Sequence, residues 1–154
     1  MPTTTEAFRG GVSVTGLTAG DTSLTIQAGT VSKTIPVHVW ANLFKTPTLP
    51  QTVNGVTFTK SGDGIHAKGT STAWATIRAT VTLTAGEYTL EHTTGGTVDL
   101  FAEVKNDAGT VDLFSNASSK LKGTLPAGDY TCIVSIGPSK TVDADITPVL
   151  RKLS

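Results

Sequence analysis

The 154-residue sequence predicts an all-β fold on three observations. Thr, Gly, Ala, Val and Ser dominate, and β-branched residues abound where good helix formers are scarce. Clusters of Thr, Ser, Gly and Pro recur about every 8 to 12 residues, the turn spacing of an all-β chain. Between the clusters, apolar side chains fall at every second position, the period of a strand with one buried face.

From the N-terminus, GGVSVTGLTAGDTSLTIQAGTVSKTIPVHVW gives three strands, near 11–15, 22–28 and 31–40. Pro36 has no N–H to give to a ladder, so the third strand belongs at an edge or a bulge. WANLFKTP, at 40–47, marks a boundary between a first part, 1–41, and a second, 42–154, with Trp40 expected to pack between them. The second part supplies strands at 52–60, 64–70, 74–83, 86–93, 97–105, 109–115, 119–125, 128–136 and 141–150. That number suits a two-sheet sandwich of the jelly-roll type.

The alternation assigns faces. In TIRATVTL, Ile77, Ala79, Val81 and Leu83 point inward, and Arg78, Thr80 and Thr82 outward. EYTLEH turns Tyr88 and Leu90 inward with His92 at the end of that face, and TVDLFAEVK turns Val98, Leu100, Ala102 and Val104 inward with Asp99, Phe101 and Glu103 outside. DYTCIVSI has Tyr130, Cys132, Val134 and Ile136 on one face and Ile133 on the other, the pattern of a central strand covered on both sides.

One phrase occurs three times: LTAGDTSL from 17, LTAGEYTL from 83 and LPAGDYTC from 125. Its Leu ends one strand and its polar residues open the next, so it is a strand corner, with the Ala-Gly pair expected to need a positive φ. In the second and third copies a Tyr follows the acid, placed like the Tyr of the tyrosine corner in Greek-key sandwiches. Unequal spacing excludes a tandem array.

Twelve basic and 12 acidic residues cancel, and only 16% of residues are charged, which argues against nucleic acid or an anionic membrane as partner. Cys132 stands alone, so no internal disulfide or CxxC site exists, and its place in an apolar strand makes it a small buried hydrophobe. No apolar run approaches the ~20 residues of a membrane span. MPTTTEAFRGG lacks the apolar stretch of a signal peptide, so the product is expected to fold in a cytoplasm or leave by a route other than secretion.

Two resemblances carry further. Residues 11–40, with V-x-G-L-x-A-G-D, then T-I-x-A-G and a closing V-x-V, resemble the C-terminal half of a bacterial immunoglobulin-like domain of the second group. Three strands of such a domain leave a face uncovered, so another chain or the neighbouring domain is expected to cover it. From Asn42, NLF, TVNGVTFT, GIHAKGT, LTAGEYTL and a closing PVLR are similar, in that order, to a β-sandwich module of phage and prophage tail and baseplate proteins. That resemblance implies a virion surface protein with a carbohydrate-binding-module-like sandwich, made in a bacterial host cytoplasm. The matching residues build the fold, so it brings no ligand residue.

Catalytic signatures are missing: no GxSxG, HExxH, P-loop or GxGxxG occurs, and the GDG of 62–64 reads as a hairpin turn. His38, His66 and His92 fall on separate strands, without metal-ligand spacing. Asp99, Glu103, Asp143 and Asp145 are carboxylates on outward positions, and only the fold decides whether two of them face each other at glycosidase distance. The sequence therefore predicts no enzyme, no cofactor and no metal. Binding asks for less: sugars stack on exposed aromatics while polar side chains take their hydroxyls. With 6% aromatic residues, outward Trp74 and Phe101 stand out, and Trp74 shares its parity with Arg78, about 13 Å along one strand. Asp63 and His66 join them only if their hairpin pairs alongside. The alternative for these aromatics is a second apolar surface against another sheet or subunit.

Three functions remain in view. The first is a non-enzymatic phage virion surface protein, on tail, baseplate or head, whose N-terminal segment attaches or oligomerises and whose sandwich binds host glycan. In the second the sandwich is purely architectural, bound to other virion proteins and to copies of itself. The third is a detached carbohydrate-binding module of a hydrolase.

Overall fold

The computed structural model describes residues 20–94, 99–115 and 121–153. It is all-β, and the described residues include no helix. The chain divides into two compact units, Met1–Ala41 and Asn42–Ser154.

In the first unit β1 (Gly20–Ala28) and β2 (Val31–Val39) form an antiparallel hairpin, turning at Gly29 with φ of 60°. Pro36 sits opposite Ser23, on a strand that is an edge among the described residues, which suits its missing N–H. Leu24, Ile26, Val31, Ile35, Val37 and Val39 share one face, on which Ile26 and Val31 remain 48% and 71% exposed. His38 bonds Asp21 on the other face and lies edge-on to Trp40, with ring centroids 4.1 Å apart. The strand expected at 11–15 lies outside the described residues.

The described residues of the second unit form a sandwich of ten strands. β3 (Gln51–Val53), β4 (Val56–Ser61), β5 (Gly64–Thr70), β7 (Gly86–Thr94), β10 (Lys122–Leu125) and β12 (Thr141–Lys152) form a six-stranded sheet, ordered β10-β7-β12-β5-β4-β3. β6 (Ala75–Leu83), β8 (Leu100–Asn106), β9 (Val111–Ser115) and β11 (Gly128–Ile136) form a four-stranded one, ordered β6-β11-β8-β9. Every pairing is antiparallel. The single strand expected over 52–60 is two strands, because Asn54 and Gly55 both take positive φ, 44° and 86°, and make a two-residue hairpin turn.

Long-range partners follow a simple order: β8 pairs with β9, β7 with β10, β6 with β11 and β5 with β12. The chain from β5 to β12 is thus one antiparallel ribbon, doubled at β8–β9 and wrapped so that successive strand pairs alternate between sheets. This is the jelly roll, with β3 and β4 added at one edge.

The second and third copies of the repeated phrase mark one bend of this ribbon; residues 17–19 of the first lie outside the described residues. Residues 83–86 carry one chain from β6 across to β7, and 125–128 carry its partner from β10 to β11. The two crossings run side by side, with Leu83 paired to Gly128 and Leu125 to Gly86. Each Leu is buried, and each Tyr returns a hydroxyl to the carbonyl four residues upstream: Tyr88 to Thr84 at 2.7 Å, Tyr130 to Pro126 at 2.9 Å. The expected positive φ is met in the first copy, at Gly20 with φ of 149°, and is absent at Gly86 and Gly128, where the chain steps between sheets instead of reversing within one. Gly55 and Gly69 do take positive φ, where hairpin and β5 approach so closely that a Cβ on either would collide with backbone oxygen.

The ribbon's neighbouring bend is clamped by buried Ser71. Its hydroxyl donates to the Gly137 carbonyl at 2.6 Å and accepts from the Lys140 N–H at 2.9 Å. Asn42 does similar work at the start of the unit. Its Oδ1 accepts from Phe44 and Leu150 N–H, both at 3.0 Å, and its Nδ2 donates to the Pro148 carbonyl at 2.9 Å. These bonds seat Phe44 in the core.

Between the sheets lie the side chains that alternation assigned inward, among them Ile77, Leu83, Tyr88, Leu90, Leu100, Val104, Tyr130, Cys132 and Val134. Val98 lies outside the described residues. Cys132 is fully buried against the Lys45 N–H, and burial pushes its thiol up to about 11, so it is an unreactive core residue.

Candidate functional site

The four-stranded sheet has a second face, turned away from the core, and strand register lays that face out in rows. Arg78, Ile133, Glu103 and Phe114 form one row across β6, β11, β8 and β9. Thr76, Ser135 and Phe101 form the next. Trp74 and Gly137, just outside β6 and β11, close that end. Ile133 and Ser135 on this face are 5% and 2% exposed. Their cross-strand neighbours are Arg78 and Thr76 on β6 and Glu103 and Phe101 on β8.

Three aromatic rings cross this face. Phe101 and Phe114 stack with centroids 5.6 Å apart and planes at 28°, and Trp74 tilts against Phe101 at 6.3 Å and 44°. Trp74 is 56% exposed yet held in place. Its carbonyl accepts the Asn54 amide at 2.7 Å, and its indole lies over Gly137, where a Cβ would sit 3.8 Å from the ring. An exposed ring fixed on several sides is a preorganised platform.

Beside the platform a groove of about 270 Å³ runs over Ile133 and Ser135, walled by Trp74, Arg78, Glu103 and Lys105. Glu103 is 13% exposed, pairs with Lys105 at 3.1 Å and accepts the Ser135 hydroxyl at 3.4 Å. Arg78 is exposed and forms no ion pair among the described residues. The groove thus offers an apolar ring, an apolar floor, hydroxyls and one unopposed guanidinium.

Of the residues singled out in the sequence, Trp74, Arg78 and Phe101 come together here. Asp63 and His66 do not, because the β4–β5 hairpin pairs with β12 in the six-stranded sheet and β6 belongs to the other. Asp63 borders a separate cleft of about 390 Å³ with Thr46, Leu49 and Lys60. His66 lies between two carboxylates, with Nδ1 3.0 Å from Asp145 and Nε2 3.2 Å from Asp143. Lys68, 2.8 Å from Asp143, holds that carboxyl below its usual range by hydrogen bond and charge. Asp99 pairs with Lys140 at 2.6 Å. The outward carboxylates are therefore divided between ion pairs on different sheets.

Phe114 was missed, although its parity opposite Leu113 in TVDLFS was readable. Glu103, Lys105 and Ser135 needed the β8–β11 pairing, which no local pattern announces. His92 faces inward and bonds Ser115 across the sandwich, and burial lowers its pKa. Among the described residues, no group of three or more His, Cys, Asp or Glu is placed to hold a metal ion. No protein-family model matches the chain, and no curated protein matches it.

Proposed function

We propose that this chain is a non-enzymatic surface protein of a phage or prophage virion, whose jelly-roll unit binds host glycan in the groove beside Trp74. The virion assignment rests on the two resemblances in the sequence. The glycan assignment rests on one observation: Trp74 stands 56% exposed while braced by Asn54, Phe101 and Gly137. A large exposed ring offers the apolar face that pyranose C–H groups need, and the polar side chains beside it take hydroxyls. Contacts this few give millimolar to micromolar affinity, and many copies on one particle add a factor of roughly 10² to 10⁴ through avidity.

The architectural reading keeps one observation of its own, the apolar face of the β1–β2 hairpin, with Ile26, Val31 and Ile35 exposed at 48%, 71% and 38%. That face suits attachment to other virion proteins or to copies of this chain, and both roles fit one molecule. A glycan array probed with multimerised protein tests the binding role. Binding that Trp74→Ala removes without lowering the melting temperature is the expected result. An array blank for both proteins leaves the architectural role standing alone.

A further inference from the structure

We infer that the groove beside Trp74 selects an acidic saccharide, one whose pyranose carries a carboxylate that Arg78 receives. This rests on the glycan reading above and narrows it.

Groove charge comes from Arg78, Lys105 and Glu103. Glu103 is already satisfied by Lys105 at 3.1 Å and the Ser135 hydroxyl at 3.4 Å. Arg78 is a different case. Its neighbours along β6 are Thr76 and Thr80, its cross-strand neighbour is Ile133, and none of these bears charge. Glu103 lies beyond Ile133 in the same row, two strand spacings or about 10 Å from Arg78 along the sheet. The groove therefore keeps one net positive charge, on the side chain whose planar fork matches a carboxylate with two parallel hydrogen bonds.

The rest of the groove fits the ring that would carry this anion. Trp74, just before β6, and Arg78 on it line the same groove about 13 Å apart along the chain, so a sugar stacked on Trp74 leaves its neighbour in a short oligosaccharide over Arg78. Between them, the Ile133 floor accepts C–H faces, and Thr76 supplies a hydroxyl. A neutral sugar offers Arg78 hydroxyls only, without the charge that pairs with both arms of its fork.

The test compares an oligogalacturonate with the same oligosaccharide after reduction of its carboxyl groups, titrated by calorimetry into the full chain, Arg78→Gln and Trp74→Ala. The acidic form is expected to bind about ten- to a hundredfold more tightly, the span of a hydrogen-bonded charge. Arg78→Gln is expected to erase that preference by weakening the acidic form far more than the neutral one, and Trp74→Ala to weaken both. Equal affinity of the two forms, or equal loss of both in Arg78→Gln, overturns the inference and leaves the glycan reading intact. Polyglutamate competing as well as the saccharide also overturns it, since charge alone then suffices. Failure of both forms, with a blank glycan array, takes the glycan reading down as well.

Discussion

Tyr88 and Tyr130 each place a buried ring between the sheets and return a hydroxyl to the chain that has just crossed, at Thr84 and Pro126. Ring and hydroxyl contribute separately. Tyr88→Phe keeps the packing and strands one carbonyl, so a loss of about 1 kcal/mol is expected, whereas Tyr88→Ala removes a large core side chain and costs about 3 to 5 kcal/mol. Urea unfolding of the two variants separates the effects, and equal losses would contradict a packing role for the ring. His92 supplies a pH signature at the same scale. Burial holds its imidazole below the usual value, so the unfolded chain takes up the proton first as pH falls. Its contribution is fully present above about pH 6.5, declines as pH drops through that value, and levels off below the folded-state pKa. Melting temperatures at pH 7.5 and 5 should show a smaller acid loss in His92→Gln than in the parent. An equal loss would place the titrating group elsewhere.

At the scale of elements, the two Ala-Gly crossings explain why the phrase that begins at 83 returns at 125. They face each other at one bend of a doubled ribbon, Leu83 against Gly128 and Leu125 against Gly86, so both chains meet the same demand. That demand is an inward Leu, a short step between sheets and an inward Tyr, with no left-handed residue. Gly128 has ordinary φ and open space where a methyl group would stand, whereas Gly69, at φ of 139°, lies against the Gly55 carbonyl. Gly128→Ala is accordingly expected to be neutral or to stabilise by about 0.4 to 1 kcal/mol through the unfolded chain, and Gly69→Ala to destabilise by more than that. Thermal unfolding of both proteins checks the pair, and a large loss in Gly128→Ala would contradict this account of the corner.

For the molecule as a whole, strand positions and faces were legible because each depends on neighbours within a few residues: Ile77 and Leu83 inward, Arg78 outward, Tyr88 and Tyr130 buried. Sheet order was not, because β6 finds β11 some 50 residues away and period-two alternation carries no address. That difference divides the candidate site. Trp74, Arg78 and Phe101 were readable as outward residues one strand at a time, and the ribbon then brings them onto one face. Asp63 and His66 depended on which sheet received the β4–β5 hairpin, and the wrap sends it to the other one. Asn54-Gly55 was a local signal passed over inside an apolar run.

The central claim is that the face around Trp74 is the one that meets glycan. Amide and indole NMR spectra recorded while an array-positive oligosaccharide is added test it most directly, because the chain's two tryptophans, Trp40 and Trp74, report from separate units. The account predicts that the Trp74 indole signal moves together with the amides of Arg78, Phe101 and Ser135, while the Trp40 indole and the amides around His66 stay in place. Shifts centred on Trp40 or on the His66–Asp143–Asp145 face, with Trp74 unmoved, would contradict it.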